Sequence, residues 1–277
     1  MSEGILRLAL AQMTSARSRE ANAAWVRDAA ARAAGQGAGL LALPEAAGAM
    51  DRGADPAAAP AAEDDPFVAA CREAAAAHGI WIATGSSPVR GPGGRMLNHG
   101  DMIDASGAIV ASYDKIHLFD VALDGAEPTG ESRRYAPGGR AALARTPWGP
   151  VGLSICYDLR FPQLYRDYAQ AGARLLLVPS AFTVPTGRAH WEILLRARAI
   201  ENGAFVVAPA QVGQHEDGRR TWGHALAVGP WGEVLADLGG EAPGLAIVDL
   251  DLAQADAARR QIPSLANGRA YAPPSAP

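Results

Sequence analysis

Short, dense apolar runs alternate along this chain with longer stretches in which apolar residues recur at helical spacing. Residues 5–12 (ILRLALAQ) have strand length and strand density, and 22–34 carry an Ala-rich amphipathic helix pattern. Residues 39–44 (GLLALP) predict a second strand. A helix is expected from Asp65 to His78, with acidic residues at its start and Gly79 as its stop. Strands follow at 80–84, 97–103 and 108–113, the last two joined by a turn at Ser106-Gly107, and GPGGR at 91–95 reads as a hairpin turn. A Gly/Pro-rich stretch at 120–140 shows no period. Beyond it the alternation resumes, with strands at 150–156, 174–179 and 204–210, helices at 161–171 and 188–202, and a hairpin from 222–228 and 233–237.

The two halves share wording as well as order. LLALPEAA (40–47) parallels LLVPSAFT (176–183), HGIWIATGSS parallels NGAFVVAPAQ, and NHGDMIDASGAIVASY parallels GHALAVGPWGEVLADL. A duplicated strand–helix–strand–helix–strand–hairpin unit makes two sheets, each with two faces to bury. Packing sheet on sheet with helices outside solves this, so the expected fold is a four-layer α-β-β-α sandwich of class α/β. Residues 1–265 are expected to form one domain, and 266–277, ending AYAPPSAP, an irregular tail.

Composition narrows the function. The chain has 277 residues, 49% hydrophobic and 19% charged, enough to bury a core without a disulfide or metal staple. A net charge of −4 leaves no basic footprint for nucleic acid. The apolar runs fall short of a bilayer span, so no membrane partner is expected. The opening MSEGILRLALAQM lacks the parts of a signal peptide. Two cysteines, Cys71 and Cys156, suggest a reducing, cytoplasmic setting. Of the 25 basic residues a single one is lysine, Lys115. That survival is either chance or a need for a compact ammonium that a planar guanidinium cannot imitate.

Three segments place a reactive side chain at or just past the end of an apolar strand: Glu45 after GLLALP, Lys115 after IVASYD, and Cys156 at the end of VGLSI. In α/β sheets, sites are built at the carboxyl ends of strands. Each residue alone has a bland reading: Glu45 a turn acid, Lys115 a surface charge, Cys156 inert filler. Their convergence lifts all three. A helix beginning near Phe161-Pro162 would favour thiolate at Cys156, and an apolar surround would raise the pKa of Glu45, suiting it to accept and return a proton. Cys71, inside the Ala-rich helix, reads as core.

LPEAAG, YDKIHLFD and SICYDLRFP, in that order, resemble the three signatures of the nitrilase (carbon–nitrogen hydrolase) superfamily. VPSAFTVPTGRAHWEILLRARAIEN and the stretch after it resemble the amidase branch that holds deaminated glutathione amidases and ω-amidases. The similarity runs from about residue 5 to residue 271. It implies the same sandwich fold and assembly into homodimers or larger homo-oligomers. It also implies hydrolysis of a small-molecule amide bearing a carboxylate or α-keto acid, with neither metal nor organic cofactor. By position, the catalytic triad falls on Glu45, Lys115 and Cys156, while Glu131 would position the substrate amide. Arg160 would grip a substrate carboxylate, Phe182 and Thr186 would line the acyl pocket, and the Tyr157 backbone N–H would share the oxyanion with Lys115. Ala46-Ala47 departs from the Cys-Phe-like pair common after the glutamate, which bears on pocket shape.

Other constellations compete. A papain-like Cys–His pair could use His117, His190 or His224, none in a local signature tying it to Cys156. His190-Trp191-Glu192 lacks the second histidine of a zinc helix. Glu192, Arg196 and Arg198 fit helical ion pairs. Ser154 should share a face with Cys156 on an extended strand, and GLSIC lacks the closing glycine of a nucleophile elbow. GQGAGL fails the dinucleotide fingerprint. An N-carbamoyl amide hydrolase, a nitrile hydrolase and a non-catalytic interaction protein on the same scaffold stay as alternatives.

Overall fold

A computed structural model of the chain describes residues 4–122 and 129–274. The first half runs β1 (Ile5–Met13), α1 (Arg19–Gly35), β2 (Leu40–Ala42), α2 (Pro66–His78) and β3 (Trp81–Ala83). β1, β2 and β3 pair in parallel, an arrangement that needs crossover helices because a tight turn cannot join parallel neighbours. Side-chain caps fix where those helices start: Ser18 accepts from the Ala21 N–H, and Asp65 from the Phe67 N–H. β4 (Ser87–Arg90) and β5 (Met96–Ile103) form a hairpin around 91–95, and β6 (Ile109–Asp114) pairs antiparallel with β5. A short ribbon, β7 (Asp120–Val121) with β8 (Thr129–Gly130), leads into a 3₁₀ turn at Glu131–Arg133. Residues 123–128 of the expected connector lie outside the described residues.

The second half begins with β9 (Ala142–Thr146) antiparallel to β10 (Gly149–Leu153). It continues through α3 (Pro162–Gln170), β11 (Leu175–Leu177), α4 (Val184–Asn202) and β12 (Phe205–Ala208), with β10, β11 and β12 parallel. β13 (Ala210–Gln214) and β14 (Arg220–Trp222) come next, then β15 (Leu226–Val228), β16 (Val234–Asp237), β17 (Gly244–Asp251) and α5 (Ala253–Gln261). β15 and β16 extend the sheet as an antiparallel hairpin. The orders β1-β2-β3-β5-β6 and β10-β11-β12-β15-β16 are therefore the same unit used twice.

The nine-stranded and six-stranded sheets stack face to face, with α1 and α2 outside the first and α3 and α4 outside the second. β1 shows how the sequence fills this space. Leu6, Leu8 and Leu10 point between the sheets, while Ala9, Ala11 and Met13 point towards α1 and α2. The period of two serves both faces of a doubly covered strand, so the whole run is apolar.

Several boundaries differ from those expected. The strand at 204–210 stops at Ala208, because Pro209 has no N–H to donate to a ladder. The chain then crosses to the other sheet, where β13 pairs with β1. Residues 222–228 are two strands, not one. Gly223 and His224 both take positive φ, and they separate β14, in the first sheet, from β15, in the second. The strand at 150–156 ends at Leu153. Helix α4 starts four residues before the expected 188, with Pro185 in its first turn. β17, unmarked by any clean alternation, runs antiparallel along β1 from Ile5↔Asp251 to Gln12↔Gly244. The tail from 266 to 274 is irregular, and its last three residues lie outside the described range.

Candidate active site

Glu45 lies just past β2, on a turn where Ala46 has φ 57°. Two side chains hold that turn. Ser86 Oγ accepts from the Ala46 N–H at 2.8 Å, and Gln211 Nε2 donates to the Glu45 carbonyl at 2.9 Å. Glu45 is 6% exposed, and both carboxylate oxygens accept hydrogen bonds. Oε1 accepts from Lys115 Nζ at 2.8 Å and Asn98 Nδ2 at 2.9 Å, and Oε2 accepts from the Ala181 N–H at 2.9 Å.

Lys115 follows β6 and is 2% exposed. Its ammonium also donates to both oxygens of Glu131, at 3.1 and 2.9 Å. Glu131 in turn accepts from the Phe119 N–H at 2.6 Å and from Asn98 at 3.4 Å. One lysine thus holds two carboxylates, and one asparagine bridges the same pair.

Cys156 opens a 3₁₀ turn (Cys156–Arg160) rather than ending a strand. Its φ is 51°, in the left-handed region that a non-glycine residue occupies only under restraint. The Cys156 N–H donates to Pro179 O at 2.9 Å. The sharp strand-to-helix turn has the shape of a nucleophile elbow without the closing glycine. Ser154 is consequently not a second reactive group: its hydroxyl pairs with Tyr165 and with Leu177 O in the core.

The electrostatics reverse two expectations. Burial pushes the Glu45 carboxyl up, but the Lys115 ammonium together with hydrogen bonds from Cys156 and Asn98 outweighs it, so the net shift is downward, not upward. Burial pushes the Cys156 thiol well up, the charge on Glu45 adds to this, and Lys115 only partly offsets it. Burial would lower Lys115, yet the two glutamates hold it well above its usual value. The resting state is therefore thiol, carboxylate and ammonium, and the helix start does not suffice to make a standing thiolate.

All eight residues singled out by sequence line one cavity of about 570 Å³: Glu45, Lys115, Glu131, Cys156, Tyr157, Arg160, Phe182 and Thr186. The Arg160 guanidinium lies 5.8 Å from the Tyr157 ring centroid and 5.6 Å from that of Phe182, which packs on Trp191. Thr186 pairs with the Thr183 hydroxyl at 2.8 Å. The histidines proposed as rivals each have a partner other than Cys156. His117 pairs with Asp158, His190 with Arg160, and His224 with Asp237. Cys71 is on the buried face of α2, and Arg196 pairs with Glu192 and Arg198 with Glu201 on α4.

The sequence reading missed Asn98, Tyr135 and a group of arginines, Arg52, Arg134 and Arg219, that line the same cavity. Asn98 had a signal: it is a polar residue on the face of β5 that Gly100 and Met102 otherwise keep apolar. The arginines had none, because they converge from three separate loops.

A sandwich of two duplicated halves, with Glu, Lys and Cys meeting at the ends of its strands, defines a class of hydrolase. The chain belongs to the carbon–nitrogen hydrolase family, whose model matches residues 7–260. It is 46% identical over 180 residues to a deaminated glutathione amidase from Synechocystis sp., an alignment covering 64% of this chain and 66% of that protein. Among solved structures it resembles the C. elegans NitFhit protein, with TM-score 0.88 and 36% identity, covering 97% of this chain and 66% of that one. It also resembles an amidase from Nesterenkonia sp., with TM-score 0.80 and 31% identity, covering 96% of this chain and 95% of that one. That structure shows covalent addition of the acetamide moiety of fluoroacetamide at the active site cysteine. The chain thus spans just under two thirds of the length of the first two relatives. Among the described residues, no helix is long and apolar enough to cross a membrane.

Proposed function

We propose that this chain hydrolyses the C–N bond of a small amide whose acyl side carries a carboxylate or α-keto acid, most like a deaminated glutathione amidase, through a thioester on Cys156. The observation that carries this reading is the paired Glu45 carboxylate and Lys115 ammonium beside the Cys156 thiol at the wall of the cavity. Glu45, ionised at rest, takes the thiol proton as Sγ attacks the amide carbonyl. The oxyanion is held by the Lys115 ammonium and the Tyr157 N–H. Glu45 then passes its proton to the departing nitrogen, which leaves as ammonia or an amine. It next removes a proton from water, whose oxygen displaces Sγ from the thioester, and returns that proton to Sγ as the acid is released. Glu131 and Asn98 keep the lysine and Glu45 in place throughout.

Arg160, whose guanidinium lies near the Tyr157 and Phe182 rings on the cavity wall, would pair with the acyl-side carboxylate. The volume and the second guanidinium group favour a longer substrate over a simple ω-amide such as α-ketoglutaramate. Arg134 donates to the Arg52 and Ala54 carbonyls, and Arg219 pairs with Asp217, which also accepts from the Arg52 N–H. We also infer a homodimer, from apolar side chains exposed together on α4 and the β15–β16 turn, and a cytoplasmic setting, from two buried free thiols.

The test is Cys156→Ala assayed on deaminated glutathione, α-ketoglutaramate and N-carbamoyl acids. Turnover should fall by several orders of magnitude with folding preserved, since the covalent nucleophile is gone. Substantial residual turnover would exclude the thioester route.

A further inference from the structure

Asp158 is a fully buried side chain that the proposed chemistry does not use. Its two oxygens accept four hydrogen bonds. Oδ2 accepts from Tyr113 Oη and from the Ile155 N–H, both at 2.8 Å. Oδ1 accepts from the His117 N–H at 3.0 Å and pairs with His117 Nδ1 at 2.7 Å. These donors are not scattered. Tyr113 and His117 stand two residues either side of Lys115, and Ile155 immediately precedes Cys156. The His117 ring also stacks on Phe161, with centroids 3.5 Å apart and planes within 8°. Helix capping alone would need only the Ile155 bond; the other three tie one strand end to another.

We propose that Asp158 is a positioning residue that fixes the Lys115 segment against the Cys156 turn, and so sets the ammonium-to-sulfur geometry. The proposal rests on the roles assigned above to Lys115 and Cys156. Two features make such a restraint necessary. Cys156 has a positive φ, a conformation that lapses unless its surroundings enforce it. Lys115 and Cys156 also come from different sheets, so no ladder hydrogen bond sets their separation. Asp158 lies in the turn itself and reaches across to the other sheet, placing the link within three residues of both groups.

The experiment compares Asp158→Asn, Tyr113→Phe and Cys156→Ala in the full chain. Turnover of deaminated glutathione and thermal unfolding are measured for each, and the pH profile of Cys156 alkylation by iodoacetamide for the wild type and the two variants that keep the thiol. Asn keeps the shape but turns an NH₂ towards groups that donate. In Asp158→Asn, kcat should fall about 100-fold, the scale of an ångström's misplacement, with KM within about threefold. The alkylation profile should move to higher pH, because a displaced Lys115 no longer favours the thiolate. Tyr113→Phe, which removes one donor from an otherwise intact core, should show both effects at about tenfold in kcat, and it decides the matter if Asp158→Asn does not fold. Wild-type kcat and an unmoved alkylation profile in a folded variant would overturn the proposal. If Cys156→Ala is inactive in that case, positioning alone has failed. If Cys156→Ala is active, the thioester reading has failed and takes the positioning role with it.

Discussion

Lys115 ends in a ring of carboxylate oxygens, one from Glu45 and two from Glu131, between 2.8 and 3.1 Å away. A buried cation of this kind is kept charged by its partners, and removing either partner would strand the other charges. The pocket suits a compact ammonium; a guanidinium is larger and planar, and its fork cannot point at three oxygens from one centre. The prediction at this scale is that Lys115→Arg folds but loses about 10²–10³ in kcat, the scale of one lost oxyanion donor. Steady-state assays with unfolding curves check it, and full activity would reduce the solitary lysine to an accident of an Arg-rich composition. Glu45, Lys115 and Cys156 were legible in advance as cavity-lining side chains because each is chemically distinct and follows an apolar run. Their protonation states were not. A carboxyl in apolar surroundings should have a raised pKa, and Glu45 has a lowered one because Lys115, 70 positions away, is its neighbour.

At the scale of elements, the β5–β6 hairpin carries a charge cluster on the side away from the cavity. His99 lies opposite Asp114 in register, and its ring pairs with Asp114 at 2.7 Å and Asp101 at 3.2 Å. Burial would lower the imidazole, but the two carboxylates push it up to about 10 from 6.5. A raised pKa stabilises the fold fully below about pH 6.5, and the contribution is lost as pH climbs towards about 10. Unfolding midpoints should therefore fall across that window by the equivalent of a few kcal/mol, and His99→Gln should flatten the slope. A slope unchanged in His99→Gln would show that other groups govern it. Elements themselves were readable where a strong period met a clear stop, as in α2 with Gly79 or the hairpin at 91–95. They were misread where one apolar run serves two sheets. FVVAPAQVGQ is continuous in pattern, and only Pro209 with the pairing of β13 to β1 divides it.

For the whole molecule, the outer face of α4 leaves Ile193 70% and Ile200 52% exposed, beside Trp231 at 53%. Ile200 reaches Gly232, so the turn between β15 and β16 continues the same patch. Exposed apolar side chains of this kind support the homodimer proposed above, in which a symmetric pair of α4 helices would cover them. Sedimentation should show a dimer of the 28.7 kDa chain. Ile193→Glu with Ile200→Glu should convert it to monomer while leaving the fold intact. A monomeric wild type would leave the patch without this partner.

The sequence alone determined the duplicated plan and singled out side chains that line the cavity. Period and strand length are local properties, and a repeat is visible as wording. It could not determine which of those groups touch. The contacts among Glu45, Asn98, Lys115, Glu131 and Cys156 join five separate segments, and Ala181 adds a sixth through its backbone. The left-handed turn at Cys156, the net charge state of the site and the loop arginines around it were decided only by tertiary structure. Each depends on what a distant segment places within a few ångströms, where Coulomb and hydrogen-bond energies act and sequence spacing carries no information.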